Sequence, residues 1–338
     1  MSFRNRVVVV TGGSAGIGRA TARAFAQAGA TVAVVARDPG RLEATVQEIL
    51  DHRGRALAVT ADVADPQAVE AAASRIEANV GPIDVWINNA MASIFAPVSE
   101  LSADEVQRVT EVTYLGAVHG TLAALRRMQR RNRGTIVQVG STLAYRAIPL
   151  QAPYCAAKHA LRAFSESLRV ELLHEESGVR VTQVHLPAVN TPQFDWTRSK
   201  LAGRPRPLPP VFQPELAARA ILYAARHAPR ELKVSLPVVS TIWLNKFFPG
   251  AIDRYLSRAA YRGQEESTPA PAPRADNLYR PVDWQVGAHG RFDPEAETRS
   301  LALQIRTSAP QIAALAVATA GVVGVAAILK RLGDAVAP

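Results

Sequence analysis

The stretch at 7–18, VVVVTGGSAGIG, constrains the fold more than any other segment of the chain. Four consecutive valines, Val7–Val10, predict a strand buried on both faces, as in the centre of a parallel sheet. Glycines then stand at Gly12, Gly16 and Gly18. They permit a sharp turn, a close approach of backbone amides to a pyrophosphate, and tight packing of the next helix. A helix over 17–28 would point its positive dipole end at that anion. A plain strand–turn–helix is the alternative, but the position directly after a strand favours a dinucleotide-binding loop.

Strand-like and helical segments alternate after this loop. Further strands are predicted at 31–36, 56–60, 83–88, 135–140 and 179–186. Helices are predicted at 40–52, 66–79, 103–131 and 153–175. Asp65 before Pro66 has the pattern of an N-cap, and Ser102 with Glu105 has the spacing of a capping box. The alternation predicts an α/β fold with a doubly wound parallel sheet (a Rossmann fold), in which ligands bind beyond the carboxyl ends of the strands.

A charged pair after the second predicted strand indicates which dinucleotide is preferred. An arginine there can pair with the 2′-phosphate of NADP, whereas a carboxylate accepts hydrogen bonds from the ribose of NAD. Arg37 lies nearer the strand end and Asp38 follows it, so NADP is predicted and NAD is the less favoured alternative. A solvated pair on a surface turn has the same pattern. Asp62, after the third strand, either accepts from the adenine amino group or leads into the next helix.

The residues between 141 and 158 carry the predicted chemistry. Tyr154 and Lys158 are four apart on a helix, so their side chains share one face. A phenol with a pKa near 10 is a poor base at neutral pH, and an ammonium one turn away, with an oxidised nicotinamide, would favour the phenolate. Ser141, at the end of the fifth strand, can donate to the same substrate oxygen. An ordinary helix face is the alternative for Tyr154 and Lys158 alone.

Together these motifs resemble the short-chain dehydrogenase/reductase family over about residues 4–235. The matching residues are Thr11, Gly12, Gly16, Gly18, Asn88, Asn89, Ala90, Ser141, Tyr154 and Lys158. The resemblance implies that Tyr154 relays the proton, that Lys158 binds the nicotinamide ribose and tunes Tyr154, and that Ser141 positions the substrate. It also implies a cofactor groove lined by Ser14, Ile17, Asp62, Val63, Asn89, Val189 and Thr191.

Three positions depart from the family pattern. Met91 replaces the usual glycine after Asn-Asn-Ala and places a bulky side chain near the nicotinamide ribose. Thr113 stands where many members have an active-site asparagine, which makes it a candidate catalytic residue. Ala188 follows Pro187 where Pro-Gly is usual.

The length of 338 residues exceeds what one such domain needs by about 100 residues. We expect a catalytic domain at 1–235, a mostly helical extension with a linker at 236–309, and an apolar helix at 310–331. The single cysteine, Cys155, excludes an internal disulfide and fits a reducing compartment. The seven histidines lack cysteine or carboxylate partners at ligand spacing, so no metal site is predicted. The catalytic part is expected to be cytoplasmic.

The net charge of +10 includes five arginines at the end of one predicted helix, between 126 and 133. No nucleic-acid recognition motif accompanies them, so nucleic acid is not predicted as a partner. A solvated helix end is the simplest interpretation, and an anionic membrane surface is the alternative.

The extension contains several distinct segments. The family resemblance implies that residues 194–214 form a substrate lid. Their apolar content suggests a hydrophobic alcohol or carbonyl substrate, and a lid that packs on its own core is the alternative explanation of that content. Residues 241–261 are typical of an interfacial or dimer-packing helix pair, and 265–276 of a polar linker. Residues 277–294 are spaced like an ordered loop, to which no role is assigned.

Ile312–Leu329 contains no charged residue and precedes Lys330 and Arg331. At ~1.5 Å per residue it barely reaches across a bilayer core of roughly 30 Å. A C-terminal transmembrane anchor is predicted here, and a buried helix that joins copies of a homo-oligomer is the alternative.

Two functional hypotheses follow. The first is an NADP-dependent oxidoreductase that acts on a hydrophobic alcohol or ketone and that the predicted C-terminal helix would attach to a membrane. The second is a cofactor-binding scaffold with little turnover, in which Met91 and Thr113 mark lost catalysis. The intact set of Ser141, Tyr154 and Lys158 favours the first.

Overall fold

A computed structural model describes residues 2–270 and 274–307, and its centre is a seven-stranded, fully parallel sheet. The strands are β1 (Val7–Thr11), β2 (Thr31–Ala36), β3 (Arg55–Thr60), β4 (Ile83–Asn88), β5 (Gly134–Ser141), β6 (Val179–Leu186) and β7 (Glu231–Lys233). Their order across the sheet is β7-β6-β5-β4-β1-β2-β3. The order reverses beside β1, because the chain runs outward to β3 and then returns to β4. This switch point opens a crevice at the carboxyl end of β1, where ligands of such sheets bind.

The valines of β1 lie at the centre of this sheet as predicted. Val8, Val9 and Val10 are fully buried, because helices cover both faces of the sheet. The helices are α1 (Gly16–Gln27), α2 (Pro39–Asp51), α3 (Pro66–Val80), α4 (Ala103–Thr110), α5 (Gly116–Arg130), α6 (Ala152–His174), α7 (Gln193–Trp196), α8 (Pro214–His227), α9 (Leu236–Phe247) and α10 (Pro249–Gly263). The fold class predicted from the sequence is therefore confirmed.

Local hydrogen bonds explain where several helices begin. The Asp65 carboxylate accepts from the amides of Gln67 and Ala68, and Pro66 occupies the first turn of α3. Ser102 and Glu105 form the predicted capping box of α4.

The single helix predicted over 103–131 is interrupted. A π-helical turn at Glu111–Leu115 separates α4 from α5. Within this turn, the fully buried Thr113 hydroxyl donates to the carbonyl of Ala92 at 2.8 Å and accepts from its amide at 2.9 Å. The π turn therefore contains the residue whose side chain holds the loop after β4.

The extension packs on the catalytic domain. Its helices α9 and α10 contact each other, and Glu265–Pro269 pairs with Gly203–Pro205 as an antiparallel ribbon. Residues 265–276 are expected from the sequence to be a linker. Their first part, 265–269, is a strand, because its backbone hydrogen bonds with the lid region.

The predicted anchor at 312–329 lies outside the described residues. Within 2–270 and 274–307, no helix combines the length and the apolar character needed to cross a bilayer.

Candidate active site

The glycine-rich loop after β1 has the backbone geometry that the sequence predicts. Gly12 and Gly16 adopt φ values of +65° and +53°, which side-chain-bearing residues rarely reach. A Cβ atom on Gly18 would overlap the Gly12 carbonyl oxygen, so α1 can approach the loop this closely only with glycine at 18. The loop therefore presents the amide end of α1 to the crevice.

Thr11 and Asn89 join this loop to the end of β4. The Thr11 hydroxyl accepts from the amides of Asn89 at 3.0 Å and Ala90 at 3.1 Å. In return, the Asn89 side-chain amide donates to the Thr11 carbonyl at 2.9 Å. These bonds hold together the two strand ends that flank the switch point.

Two neighbouring charged residues at the end of β2, Arg37 and Asp38, have different hydrogen-bond partners. Asp38 accepts from the backbone amide of Arg41 at 2.8 Å, caps α2, and forms an ion pair with the Arg41 guanidinium at 3.0 Å. Its oxygens are thus engaged within the protein. Arg37 is held by backbone carbonyls instead, and burial lowers the pKa of its guanidinium, which nevertheless remains a cation.

Asp62, at the end of β3, is also paired. Its carboxylate accepts from Arg108 at 2.5 Å and from the amide of Ala64 at 3.0 Å. Burial alone would raise the pKa of Asp62, but these two hydrogen bonds outweigh it and leave the pKa below its usual range. Asp62 is therefore a carboxylate at neutral pH.

Most residues predicted to bind the cofactor line one groove along these strand ends, of about 170 Å³. They are Gly12, Ser14, Gly16, Ile17, Gly18, Arg37, Asp62, Val63, Asn89 and Thr191. Val189 lines the neighbouring cavity instead. In the described part of the chain, no group of three or more His, Cys, Asp or Glu side chains could hold a metal ion.

That neighbouring cavity, of about 670 Å³, contains the predicted catalytic residues. Ser141 ends β5, while Tyr154 and Lys158 lie one turn apart on α6. The Lys158 ammonium donates to the carbonyl of Val139 at 2.7 Å and lies 5.6 Å from the centre of the Tyr154 ring. Ser141 Oγ accepts from the amide of Leu143 at 3.1 Å and can still act as a donor through its own hydroxyl proton. The structure places Ser141, Tyr154 and Lys158 along this one cavity.

Burial shifts the ionisation of both central side chains. It raises the pKa of Tyr154, an effect that a hydrogen bond with Ser141 partly offsets. Burial also lowers the pKa of Lys158 to about 8. The phenol is therefore held neutral and the ammonium is poised to lose its proton just above neutral pH.

Two of the unusual residues occupy different places. Thr113 lines neither cavity, and its hydroxyl is hydrogen-bonded to the backbone of Ala92 in the loop after β4. Met91 lines both cavities and stands at their junction.

Sequence reasoning missed part of the site. Trp196, Asn277 and Pro281 line the groove, and α9 and α10 line the cavity. Trp196 belongs to the predicted lid, and its aromatic ring was a usable signal. Asn277 and Pro281 contribute from a loop whose sequence carries no binding motif.

A parallel sheet with a glycine-rich loop at its switch point, and a Ser–Tyr–Lys set beside it, defines a dehydrogenase or reductase. Residues 6–201 match the family model described as short chain dehydrogenase. The chain belongs to this family.

Relatives and solved structures agree with this assignment. The "uncharacterized oxidoreductase YxnA" of Bacillus subtilis is 31% identical over 329 residues, which cover 96% of this chain and 91% of YxnA. Dehydrogenase/reductase SDR family member 7B of Bos taurus is 38% identical over 56% of this chain and 59% of its own. A metagenomic short-chain oxidoreductase solved with NADP is 27% identical, covers 69% of this chain and 98% of its own, and superposes with a TM-score of 0.59. The Thermococcus sibiricus alcohol dehydrogenase solved with 5-hydroxy-NADP, also 27% identical, covers 68% and 93%, with a TM-score of 0.56.

Proposed function

We propose that this oxidoreductase uses NADP to interconvert a hydrophobic alcohol and its ketone or aldehyde, with Tyr154 as the general acid and base. One observation carries the proposal. The groove at the switch point and the cavity around Tyr154 share lining residues, so a dinucleotide in the first reaches the second. The shared residues are Ile17, Asn89, Met91, Thr191 and Gln193.

The lining of the catalytic cavity supports a large apolar substrate. Among the described residues that form it, only Arg146 and Lys158 are charged. Arg146 pairs with Asp253, and Lys158 is bonded to a backbone carbonyl. The remaining walls come mainly from apolar residues of the lid and of α9 and α10, including Phe194, Leu208, Val238, Leu244, Ile252 and Leu256. Such walls favour a substrate whose single polar group is the reacting oxygen.

The surroundings of Arg37 support NADP over NAD. Asp38 is used as a helix cap and as the partner of Arg41, so it does not offer a free carboxylate to a ribose. Arg37 keeps a positive charge on the groove, and its recorded hydrogen bonds go to neutral carbonyls. A guanidinium in this state can pair with a 2′-phosphate. The two solved relatives described above were crystallised with NADP or a hydroxy-NADP.

The nicotinamide, when bound, would supply or accept the hydride. The neutral Tyr154 phenol is suited to donate its proton to the carbonyl oxygen of a substrate, and Ser141 can donate a second hydrogen bond to the same oxygen. Lys158 is the nearest cation to the phenol and would stabilise the phenolate left after transfer. In the oxidative direction the same groups would act in reverse.

The test combines binding with turnover. NADPH fluorescence should report binding, and a panel of ketones of increasing apolar size should be reduced, with rates that favour the larger members. Tyr154→Phe should bind NADPH normally but lose about 10²-fold or more of the rate. The alternative is a cofactor-binding scaffold in which Met91 marks lost catalysis. It predicts NADPH binding without any turnover that depends on Tyr154.

A further inference from the structure

We infer that the extension forms the outer wall of the cofactor site and encloses a bound NADP at its adenosine and pyrophosphate end. This inference rests on the proposed function. The wall is the segment 277–287, which we call the strap. It runs along the open side of the groove from the end of β2 to the first turn of α1.

The strap is tied to Arg37 through its backbone. The carbonyls of Asn277, Tyr279 and Leu278 accept from the guanidinium at 2.6, 3.1 and 3.4 Å. A guanidinium has five N–H donors, so these bonds leave some of them for a ligand. Because the strap offers only neutral carbonyls here, it orients Arg37 without cancelling the charge that a 2′-phosphate would meet.

Arg108 connects the strap to Asp62 through a second set of hydrogen bonds. Arg108 donates from Nε to the Leu278 carbonyl at 3.1 Å, while its Nη2 donates to Asp62 at 2.5 Å. The Leu278 side chain is fully buried in the apolar cluster on one face of the sheet. The strap is therefore anchored beside the ends of both β2 and β3, where the adenosine part of a dinucleotide lies in such folds.

The lid contributes to the same wall. The amide of Asn277 donates to the carbonyl of Trp196 at 2.9 Å, and with its side-chain oxygen turned toward the indole it accepts from Trp196 Nε1 at 3.0 Å. Arg41 lies 5.1 Å from the centre of the buried Trp196 ring. One residue pair, Asn277 and Trp196, thus joins the lid to the strap.

The other end of the strap reaches the pyrophosphate position. The Gly287 carbonyl accepts from the amide of Gly16 at 3.1 Å, and the Val286 carbonyl accepts from Arg19 at 2.8 Å. The first amide of α1 is thereby used by the strap, whereas a phosphate would meet the amides that follow it.

The strap covers the groove without filling it. Asn277 and Pro281 line the same space as Gly12 and Asp62, which form its floor. The hydrogen bonds of the strap go to three guanidinium groups and to the first amide of α1. A dinucleotide would then lie beneath the strap and would be released only when the strap opens.

The first experiment measures cofactor exchange. Leu278→Ala removes the buried anchor without changing a side chain of the groove, and Asp283→Ala, on an exposed strap residue, is the matched control. Stopped-flow displacement of NADPH by excess NADP⁺ should show release at least 10-fold faster for Leu278→Ala, as expected for a lost core leucine. Asp283→Ala should match the unmodified chain. Equal release rates for all three proteins would overturn the inference.

The second experiment uses the unmodified protein, so it does not depend on the folding of a variant. Tyr279 is 45% exposed and offers a chymotrypsin site on the strap. NADPH should slow cleavage after Tyr279, because the strap closes over the bound cofactor. Faster cleavage with NADPH would mean that the cofactor displaces the strap, and the inference would fail.

The two proposals fail separately. Both strap experiments read binding and need no substrate. NADPH that binds and protects the strap, without any ketone turnover, would refute the proposed catalysis alone. The enclosure alone would be refuted by ketone turnover together with two negative results. These are an NADPH release rate that Leu278→Ala does not change and cleavage after Tyr279 that NADPH does not slow.

Discussion

The Lys158 ammonium lies 5.6 Å from the centre of the Tyr154 ring, and both side chains line one cavity. Burial shifts the pKa values of the two side chains in opposite directions, because it favours the neutral form of each. The pKa of Tyr154 rises and that of Lys158 falls to about 8. In the proposed mechanism the neutral phenol is available as a proton donor, and the charge of the neighbouring Lys158 depends on pH.

This relationship predicts a limit on activity at high pH. As pH rises through about 8, Lys158 loses its proton and no longer stabilises the phenolate. The kcat/KM for ketone reduction should therefore fall above that pH. In Lys158→Arg the guanidinium stays charged, so the fall should move upward by more than one pH unit, even if the maximum rate is lower. A profile that stays flat to pH 10 in the unmodified enzyme would contradict this assignment.

The same shift has a consequence for stability. Between pH 8 and the ordinary pKa of lysine, the unfolded chain binds more protons at Lys158 than the folded chain does. The unfolding free energy of the unmodified protein should therefore rise with pH in this window, by about 3 kcal/mol relative to Lys158→Met. Urea unfolding at pH 7.5 and 10 measures the difference.

Arg37 should decide cofactor preference. Hydrogen bonds to a charged group contribute about 1.5–3 kcal/mol, so Arg37→Ala should weaken NADPH binding by roughly 10- to 100-fold. NADH lacks the 2′-phosphate, so its affinity should fall only by the amount that results from releasing the strap from residue 37. Arg280→Ala, an exposed arginine on the strap, controls for the loss of one positive charge. Fluorescence titration of both nucleotides gives the comparison, and equal losses for NADPH and NADH would refute the role of Arg37.

Most of the core of the fold is predictable because its signals are local. Val7–Val10 identify a strand buried on both faces, and Asp65 with Pro66 mark the start of α3. The proximity of the candidate catalytic residues is predictable for a related reason, since Tyr154 and Lys158 share a helix face and Ser141 ends a strand at the same sheet edge.

The strap is not predictable in this way. Asn277 meets Arg37 across 240 positions of sequence, through a backbone carbonyl that every residue type possesses. The contacts of Thr113 are not predictable from the sequence for the same reason, because the partners of its hydroxyl are the backbone amide and carbonyl of Ala92. Long-range contacts of backbone groups leave no side-chain pattern to detect.

The close approach of α1 to its loop predicts intolerance at Gly18. A Cβ atom there would overlap the Gly12 carbonyl and lie 2.6 Å from the Asn89 side-chain nitrogen. Gly18→Ala should therefore lower the unfolding free energy by about 1–3 kcal/mol and abolish tight NADPH binding. Gly250→Ala is the control, because open space surrounds that exposed position in α10. A Gly18→Ala protein with normal stability and affinity would show that the loop is looser than described.

His289 predicts a pH-dependent attachment of the extension. Its ring nitrogens lie 2.8 Å from Asp293 and 2.9 Å from Glu215, whose carboxylate also pairs with Arg23. Burial would lower the pKa of His289, but the hydrogen bonds to the two carboxylates outweigh it and raise the pKa. Asp293 in turn accepts from Asn190, next to the groove residue Thr191.

Because the folded pKa is raised, the stabilisation by His289 is complete below the unfolded value of about 6.5 and is lost as pH rises through the folded value. The site is partly exposed, so its contribution should be about 1 kcal/mol or less. His289→Gln should therefore be less stable than the unmodified protein near pH 6, and the two should converge at alkaline pH. Urea midpoints for the two proteins at pH 6 and 9 measure this difference, and a stability gap that widens with pH would exclude a protonated His289 between these carboxylates.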